Sequence, residues 1–188
     1  DVYKRQVFGF LTDTVPPTLL SACYVPDNQI LLTFSEIIDA DSAAVSDNYY
    51  LSGGGMPTVL TVDQDASTVL LDAGIIMSED TFYLVGINDI YDCAGNLMLG
   101  DTIKIGVPQE PDSFDIVINE VLFNPVTGGV DFVEIYNRSE KIIQLDNFNI
   151  EENDVVNDSV SQYENLELSC FLMFPGDYVA LTLSLIHI

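Results

Sequence analysis

The chain has 188 residues, with 30 acidic against 5 basic residues, a formal net charge of −25 and a hydrophobic fraction of 48%. Such a charge repels phosphate backbones and anionic lipids, which argues against nucleic-acid binding and direct membrane insertion. No apolar run reaches the roughly 18–20 residues that span a bilayer. The apolar fraction is too high for a disordered acidic tail, so the composition predicts one or two folded domains.

The two ends of the chain, residues 1–6 and 183–188, resemble translated transposase-adapter sequence. Codons can be chosen for the two hexapeptides that are reverse complements apart from one terminal base, and both match the adapter of transposase-based sequencing libraries. We therefore expect both segments to be artefacts and exclude them from the interpretation of the fold. His187, the one histidine of the chain, belongs to the excluded end. Residues 7–12 are the expected remnant of an upstream strand.

A first β unit is predicted after a proline-rich linker at 13–17. Short apolar or alternating runs recur between turn residues, and no stretch of ten or more residues has a helix-period apolar stripe, which indicates an all-β fold. Alternation places Ile30, Leu32 and Phe34 on one strand face. A single helical turn with Asp41 as its N-cap is predicted between the second and third strands. The predicted strands are 18–25, 29–35, 48–52, 57–63, 68–71, 80–88 and 102–107.

A second β unit is predicted after a polar, proline-interrupted linker at 108–114. An acidic loop is expected at 151–164. The unit is shorter than a typical sandwich of about 100 residues, so we expect it to be incomplete. Its predicted strands are 115–122, 131–136, 142–145, 148–150, 168–174 and 178–182.

Four motifs of the first unit, at 13–21, 32–36, 48–49 and 92–96, occur in an order that resembles the bacterial Ig-like modules of the surface-layer type. The resemblance covers residues 13–107. It implies a seven-stranded sandwich that acts as a spacer or presentation module, and it brings no catalytic residues.

The last of these motifs also has a local physical interpretation. Gly95 and Asn96 tolerate positive φ, and Asp92 can accept backbone N–H bonds across the turn. We favour this structural role for the three residues over a ligand-binding role.

Three motifs of the second unit, at 116–121, 131–137 and 175–181, resemble a lamin-tail domain. The match covers 115–182, and the family's closing strands would lie beyond it. The resemblance implies a second Ig-like fold, which in bacteria occurs in secreted multidomain proteins, often beside hydrolase domains, with a tethering or interaction role. The predicted architecture is therefore two Ig-like β-sandwiches in tandem, the second incomplete.

Four polar positions stand out in the lamin-tail motifs: Asn119, Glu120, Glu134 and Asn137. Their side chains can cap strand ends or bond the adjacent loop backbone. Alternatively, two carboxylates and two amides can hold a hard cation. We favour the structural role.

Catalysis is not expected. Without a histidine outside the excluded end, Ser-His-Asp, Cys-His and histidine-zinc sites are impossible. No phosphate-binding glycine motif occurs. Calcium is the one cofactor with an argument, because closely spaced carboxylates such as Asp63 and Asp65 offer the oxygen ligands that it prefers. We favour solvated acidic loops over a specific site and expect no cofactor.

The three cysteines show no metal-binding spacing. A Cys23–Cys93 disulfide would suit an exported protein. The predicted topology argues against it, because Cys23 and Cys93 fall towards opposite ends of the first sandwich. We expect Cys170 to be buried or paired beyond the visible segment.

Three functional hypotheses follow. The first is a non-enzymatic segment of an exported bacterial multidomain surface protein, acting as spacer and tethering module. The second is the accessory region of a secreted hydrolase whose catalytic domain lies elsewhere, and the third is a Ca²⁺-dependent adhesion module. The expected partners are neighbouring domains of the same chain and a surface glycan or protein, and the expected location is extracellular or at the cell surface.

Overall fold

The computed structural model describes most of the chain, and the two predicted adapter segments and the predicted upstream remnant at 7–12 lie outside the described residues. The described ranges are 13–65, 67–122, 129–146, 148–154, 159–165 and 170–182.

The first part of the chain folds into two antiparallel sheets. One sheet has the order β1-β2-β5-β4 and the other has the order β3-β6-β7. The strands lie within one or two residues of the predicted positions, and they are β1 (Leu19–Val25), β2 (Gln29–Phe34), β3 (Tyr49–Leu51), β4 (Thr58–Asp63), β5 (Thr68–Asp72), β6 (Phe82–Ile87) and β7 (Asp101–Gly106).

The core of this first sandwich lies between its two sheets. Ile30, Leu32 and Phe34 alternate along β2 and are almost completely buried, and Val85 and Ile87 on β6 face them from the other sheet. Period-two alternation therefore places one side of each strand in a shared apolar layer, as the sequence indicates. The structure confirms the predicted all-β fold class.

The predicted helical turn is present, but the predicted cap is wrong. The helix α1 (Ala40–Ala43) begins after Asp39, whose carboxylate accepts a hydrogen bond of 2.8 Å from the Ser42 amide. Asp39 has the extended backbone of an N-cap, whereas Asp41 already lies in the first helical turn. Both aspartates are followed by helix-compatible residues, so sequence alone does not separate them.

The second part of the chain contains three small antiparallel sheets among the described residues. Their orders are β14-β9-β8, β10-β13 and β11-β12. The strands are β8 (Ile116–Leu122), β9 (Phe132–Asn137), β10 (Ile143–Gln144), β11 (Asn149–Asp154), β12 (Ser159–Asn165), β13 (Leu172–Met173) and β14 (Tyr178–Thr182).

The predicted acidic loop is wrong at 151–154 and 159–164, because these residues belong to β11 and β12, which pair antiparallel, and 155–158 lie outside the described residues. Acidic composition lowers strand propensity only weakly, and a ladder satisfies backbone N–H and C=O groups whatever side chains it carries.

A second apolar cluster, separate from the first, lies in this part of the chain. It is built on β9, β10, β13 and β14, and its buried members are Val133, Ile135, Ile143, Leu145, Met173 and Leu181. The described residues therefore form two β units, each with its own hydrophobic core.

Candidate functional site

Asp92 organises the turn between β6 and β7. Only 3% of its surface is exposed, and Oδ1 accepts hydrogen bonds of 2.8 Å from the amides of Ala94 and Asn96. Oδ2 accepts a third, of 2.7 Å, from the Asn96 side chain. Gly95 has a φ of +88°, which permits the tight reversal. Asp92 thus accepts hydrogen bonds from two backbone amides and one side-chain amide of its own turn.

Burial by itself would raise the pKa of Asp92. The hydrogen bonds from the side chain and amide of Asn96, and from the Ala94 and Gly95 amides, outweigh that effect, so the pKa lies below its ordinary value. Asp92 is therefore an anionic acceptor at neutral pH, not a proton donor.

Two further carboxylates approach this turn. Oxygen atoms of Asp13, Glu36 and Asp92 lie within 4.8 Å of one another. Burial raises the pKa of Glu36, and the charges of Asp13 and Asp92 raise it further. Chemically, such an acidic cluster can accept a hard divalent cation or stay as a solvated group of like charges, since Asp92 is already satisfied by its own turn.

The predicted calcium ligands Asp63 and Asp65 lie elsewhere. Asp63 ends β4, Asp65 follows in the loop before β5, and both are exposed. Neither belongs to the acidic cluster. A calcium site at this pair stays a prediction.

The four polar positions of the second unit do not form one site. Asn137 is fully buried and connects β9 to two other segments of the same unit. Its side-chain amide donates to the carbonyls of Lys141 at 2.8 Å and Met173 at 3.0 Å. Its Oδ1 accepts hydrogen bonds from the Ser139 amide and hydroxyl. Asn137 therefore acts as an internal cross-link in this structure.

The other three positions lie on the opposite side of the sheet. The Asn119 amide donates to Glu134 at 2.6 Å, and Glu120 pairs with Glu134 across the strands. Alternation along β9 places Glu134 on the face away from Asn137. A single cation site formed by all four residues is therefore incompatible with the strand geometry.

A disulfide between Cys23 and Cys170 joins the two units, with their Cα atoms 5.2 Å apart. The expectation that Cys170 is buried or pairs beyond the visible segment is wrong, because Cys170 is half-buried and pairs with Cys23. Cys93 is a free, exposed thiol, in keeping with the argument against a Cys23–Cys93 bridge. Two cysteines 147 residues apart come together because β1 of the first unit lies beside the segment that leads into β13.

Aromatic side chains from both units hold a lysine beside the disulfide. The Lys104 ammonium lies 5.0 Å from the ring centre of Phe82 and 4.4 Å from that of Phe174. The two rings meet edge to face at 6.2 Å. Leu172 packs against the core of the first sandwich. Residues from β6, β7 and the β13 region thus form a shared contact, to which each cation–π pair adds about 0.5–1 kcal/mol at an exposed position.

The predicted linker is bonded to both units. The Gln109 amide donates to the carbonyl of Ile142 at 2.8 Å, and its side chain donates to the carbonyl of Glu79 at 2.7 Å. At Gly106, the position where a Cβ atom would stand lies 2.3 Å from Cδ1 of Ile142. The chain between the units therefore runs through a packed junction.

Lys141 of the second unit contacts the linker and the residue that follows it. Its ammonium lies 2.6 Å from Asp112 and 2.8 Å from Asp115, and it also donates to the carbonyl of Glu110. The hydrogen bonds to Asp112 and Asp115 raise the pKa of Lys141. The hydrogen bond from Lys141, together with the Asp112 amide, lowers the pKa of Asp115.

The junction is the feature of the structure that the sequence patterns do not indicate. One signal was available: only three basic residues occur among the described part of so acidic a chain, and two of them, Lys104 and Lys141, lie at the junction. In an acidic chain with few basic residues, the positions of those residues indicate where carboxylates or aromatic rings surround a positive charge.

Comparisons with known proteins add a loose structural likeness. No protein-family model matches the chain, and none of the curated proteins is similar to it. The N-terminal part of the bacterial S-layer protein SbsC superposes with a TM-score of 0.46 at 14% identity, over 90% of this chain and 41% of that chain. SbsC domains 1–6 give 0.46 at 11%, over 89% and 32%.

The chain thus spans less than half the length of these S-layer structures. A likeness at this TM-score and identity establishes neither a shared function nor a shared partner. Within the described residues, no helix has the length and apolar character needed to cross a membrane.

Proposed function

We propose that this chain is a rigid spacer and tethering segment of an exported multidomain surface protein. The observation that supports it best is the junction, in which the connection between the two β units is hydrogen-bonded on both sides and bridged by a disulfide. A spacer has to hold its neighbours at a fixed separation, and a connection bonded at both ends loses the freedom of an open linker.

The division into an Ig-like unit at 13–107 and a lamin-tail-like unit at 115–182 is part of this proposal. Two separate apolar clusters support it. The three lamin-tail motifs also fall on β8, β9 and β14, which pair into one sheet. Because three motifs that are distant in sequence lie in one sheet, they support a single structural unit over these residues.

An extracellular or cell-surface location is supported by the disulfide, since such bonds persist in oxidising compartments and are rare in the cytosol. The high negative charge keeps a surface segment soluble and separated from like-charged neighbours.

Residual dipolar couplings of the oxidised full chain test the spacer. If the two units are held rigidly, backbone couplings from both fit one alignment tensor. Two tensors of clearly different magnitude would mean independent motion and would refute a rigid spacer. The Gln109→Ala variant removes the side-chain bond to Glu79, so its couplings from the two units are expected to fit one alignment tensor less well than those of wild type. Gln64→Ala, which removes a side-chain bond within the first unit, is the matched control and is expected to leave the fit unchanged.

A further inference from the structure

We infer that the Cys23–Cys170 disulfide carries tension applied along the chain, so that most of the protein is not under that tension. This covalent route for force is called the load path below. This inference rests on the proposed role as a spacer, since a surface spacer carries force between the domains attached to its ends. It assigns to the bridge a mechanical role that differs from simple stabilisation of one unit.

The position of the two cysteines determines the load path. Cys23 lies within β1, near the start of the first sandwich, and Cys170 lies after β12 and just before β13 of the second unit. The closed loop contains strands β2 to β12 and the linker with its bonds to Ile142 and Glu79, whereas Leu172 and Phe174 lie outside it. Tension that enters before Cys23 and leaves after Cys170 passes through the sulfur–sulfur bond, so the folded residues between them are not stretched.

Non-covalent contacts keep the two sulfur atoms together. Lys104 lies between Phe82 on β6 and Phe174 next to β13, and Leu172 packs on the first core. Cys23 is itself 93% buried, since its exposed fraction is 7%. The contacts that surround the bridge do not require the bond, so its reduction is expected to change the path of force while leaving the fold in place.

Opening of the disulfide is a two-electron reduction. A dithiol such as dithiothreitol attacks one sulfur as a thiolate, and the second thiol of the reagent then completes the exchange. Cys23 and Cys170 each gain one electron and one proton, and the reagent leaves as its cyclic disulfide. Cys93 is not consumed.

Single-molecule stretching measures the load path. The full chain, produced in an oxidising compartment and held through peptide tags at both ends, is stretched to complete extension. With the two cysteines 147 positions apart in the sequence, the Cys23→Ser/Cys170→Ser variant is expected to extend about 480–520 Å further than the oxidised wild type. Wild type treated with dithiothreitol is expected to match the double variant. Total extension does not depend on whether the variant folds.

Thiol titration in denaturant provides the second measurement. Oxidised wild type is expected to show one thiol, and three after reduction, while Cys93→Ser shows none and keeps the short extension. Three thiols in oxidised wild type, a covalent dimer, or equal extension of wild type and double variant would overturn the inference. The alignment tensors report the relative motion of the two units, which the bonds of Gln109 and Lys141 can restrict without the bridge. A missing load path together with a single tensor is therefore distinguishable from failure of the rigid spacer.

Discussion

Asp92 and Asn137 are the two buried polar residues of the described part of the chain, and both satisfy backbone groups. Asp92 accepts hydrogen bonds inside its own turn, whereas Asn137 donates to two carbonyls of a neighbouring segment. A buried polar side chain is tolerated when it replaces water for groups that would otherwise lack partners. A single buried polar side chain can thus hold a loop in one conformation through hydrogen bonds where little apolar surface is available for packing.

Replacing Asn137 is predicted to destabilise the second unit. Asn137→Ala leaves the carbonyls of Lys141 and Met173 without these donors, which at about 1–3 kcal/mol for each unsatisfied group gives a loss of about 2–6 kcal/mol. Asn119→Ala, on the exposed side of the same sheet, should stay within about 0.5 kcal/mol of wild type. Urea unfolding measures both, and equal losses would contradict the cross-linking role.

Replacing Glu36 is predicted to stabilise the protein at neutral pH. Burial and the charges of Asp13 and Asp92 raise the pKa of Glu36, so the folded state holds its proton more tightly than the unfolded state does. Ionised Glu36 therefore lowers stability above its folded pKa. Glu36→Gln should add about 0.5 kcal/mol at pH 7 and low salt.

This gain should disappear as the pH falls below about 4.3, where the unfolded state is protonated too. Thermal melting in EDTA from pH 3 to 8 measures it. Exposed Glu140→Gln, which removes the same charge elsewhere, is the control. A gain that is no larger than that of the control would show that the acidic cluster imposes no specific repulsion.

At the scale of elements, the end of β7 packs tightly against the loop before β10. Gly106 lies under the buried side chain of Ile142, and only a residue without a Cβ atom permits this approach. The contact is next to the Gln109 bonds, so the end of one strand, the linker and the following unit are positioned together.

Adding one methyl group at this contact is predicted to disturb it. Gly106→Ala should cost about 1–3 kcal/mol through overpacking against Cδ1 of Ile142. Because Ile142→Val removes that atom, the Gly106→Ala/Ile142→Val double variant should be more stable than the sum of the two single changes implies. A double-mutant cycle in urea measures the coupling, and strict additivity would place the clash elsewhere.

At the scale of the whole molecule, a net charge of −25 opposes compaction, and a single long-range covalent bond counters the expansion. The disulfide closes a loop of 147 residues and so restricts the unfolded chain as a whole. In the chain-entropy description the effect grows with loop length, although slowly.

Removal of the bridge is therefore predicted to lower the free energy of unfolding by up to about 5 kcal/mol. Cys23→Ser/Cys170→Ser should show this loss in urea titrations, together with a larger denaturant dependence, since its unfolded chain exposes more surface. Cys93→Ser should match wild type, because Cys93 is unbonded to sulfur. An unchanged midpoint in the double variant would mean that the closed loop contributes nothing.

The sequence by itself determined the all-β class, the positions of nearly all strands and the turn at Asp92. Each depends on alternation or on residues within a few positions of one another, and such local patterns are written in consecutive side chains. It did not determine the strands at 151–164, where pairing of backbones outweighs weak propensity.

Three features depend on the tertiary structure alone. They are the pairing of Cys23, the proximity of the Asp13 and Glu36 carboxylates to Asp92, and the contacts around Lys104. These contacts join segments tens of residues or more apart, and Cys23 and Cys170 are 147 residues apart. No local pattern encodes which strand end lies beside which loop. Folding of the first sandwich brings its three carboxylates together, and contact between the two apolar units brings Cys23 to Cys170 and places the rings of Phe82 and Phe174 around Lys104.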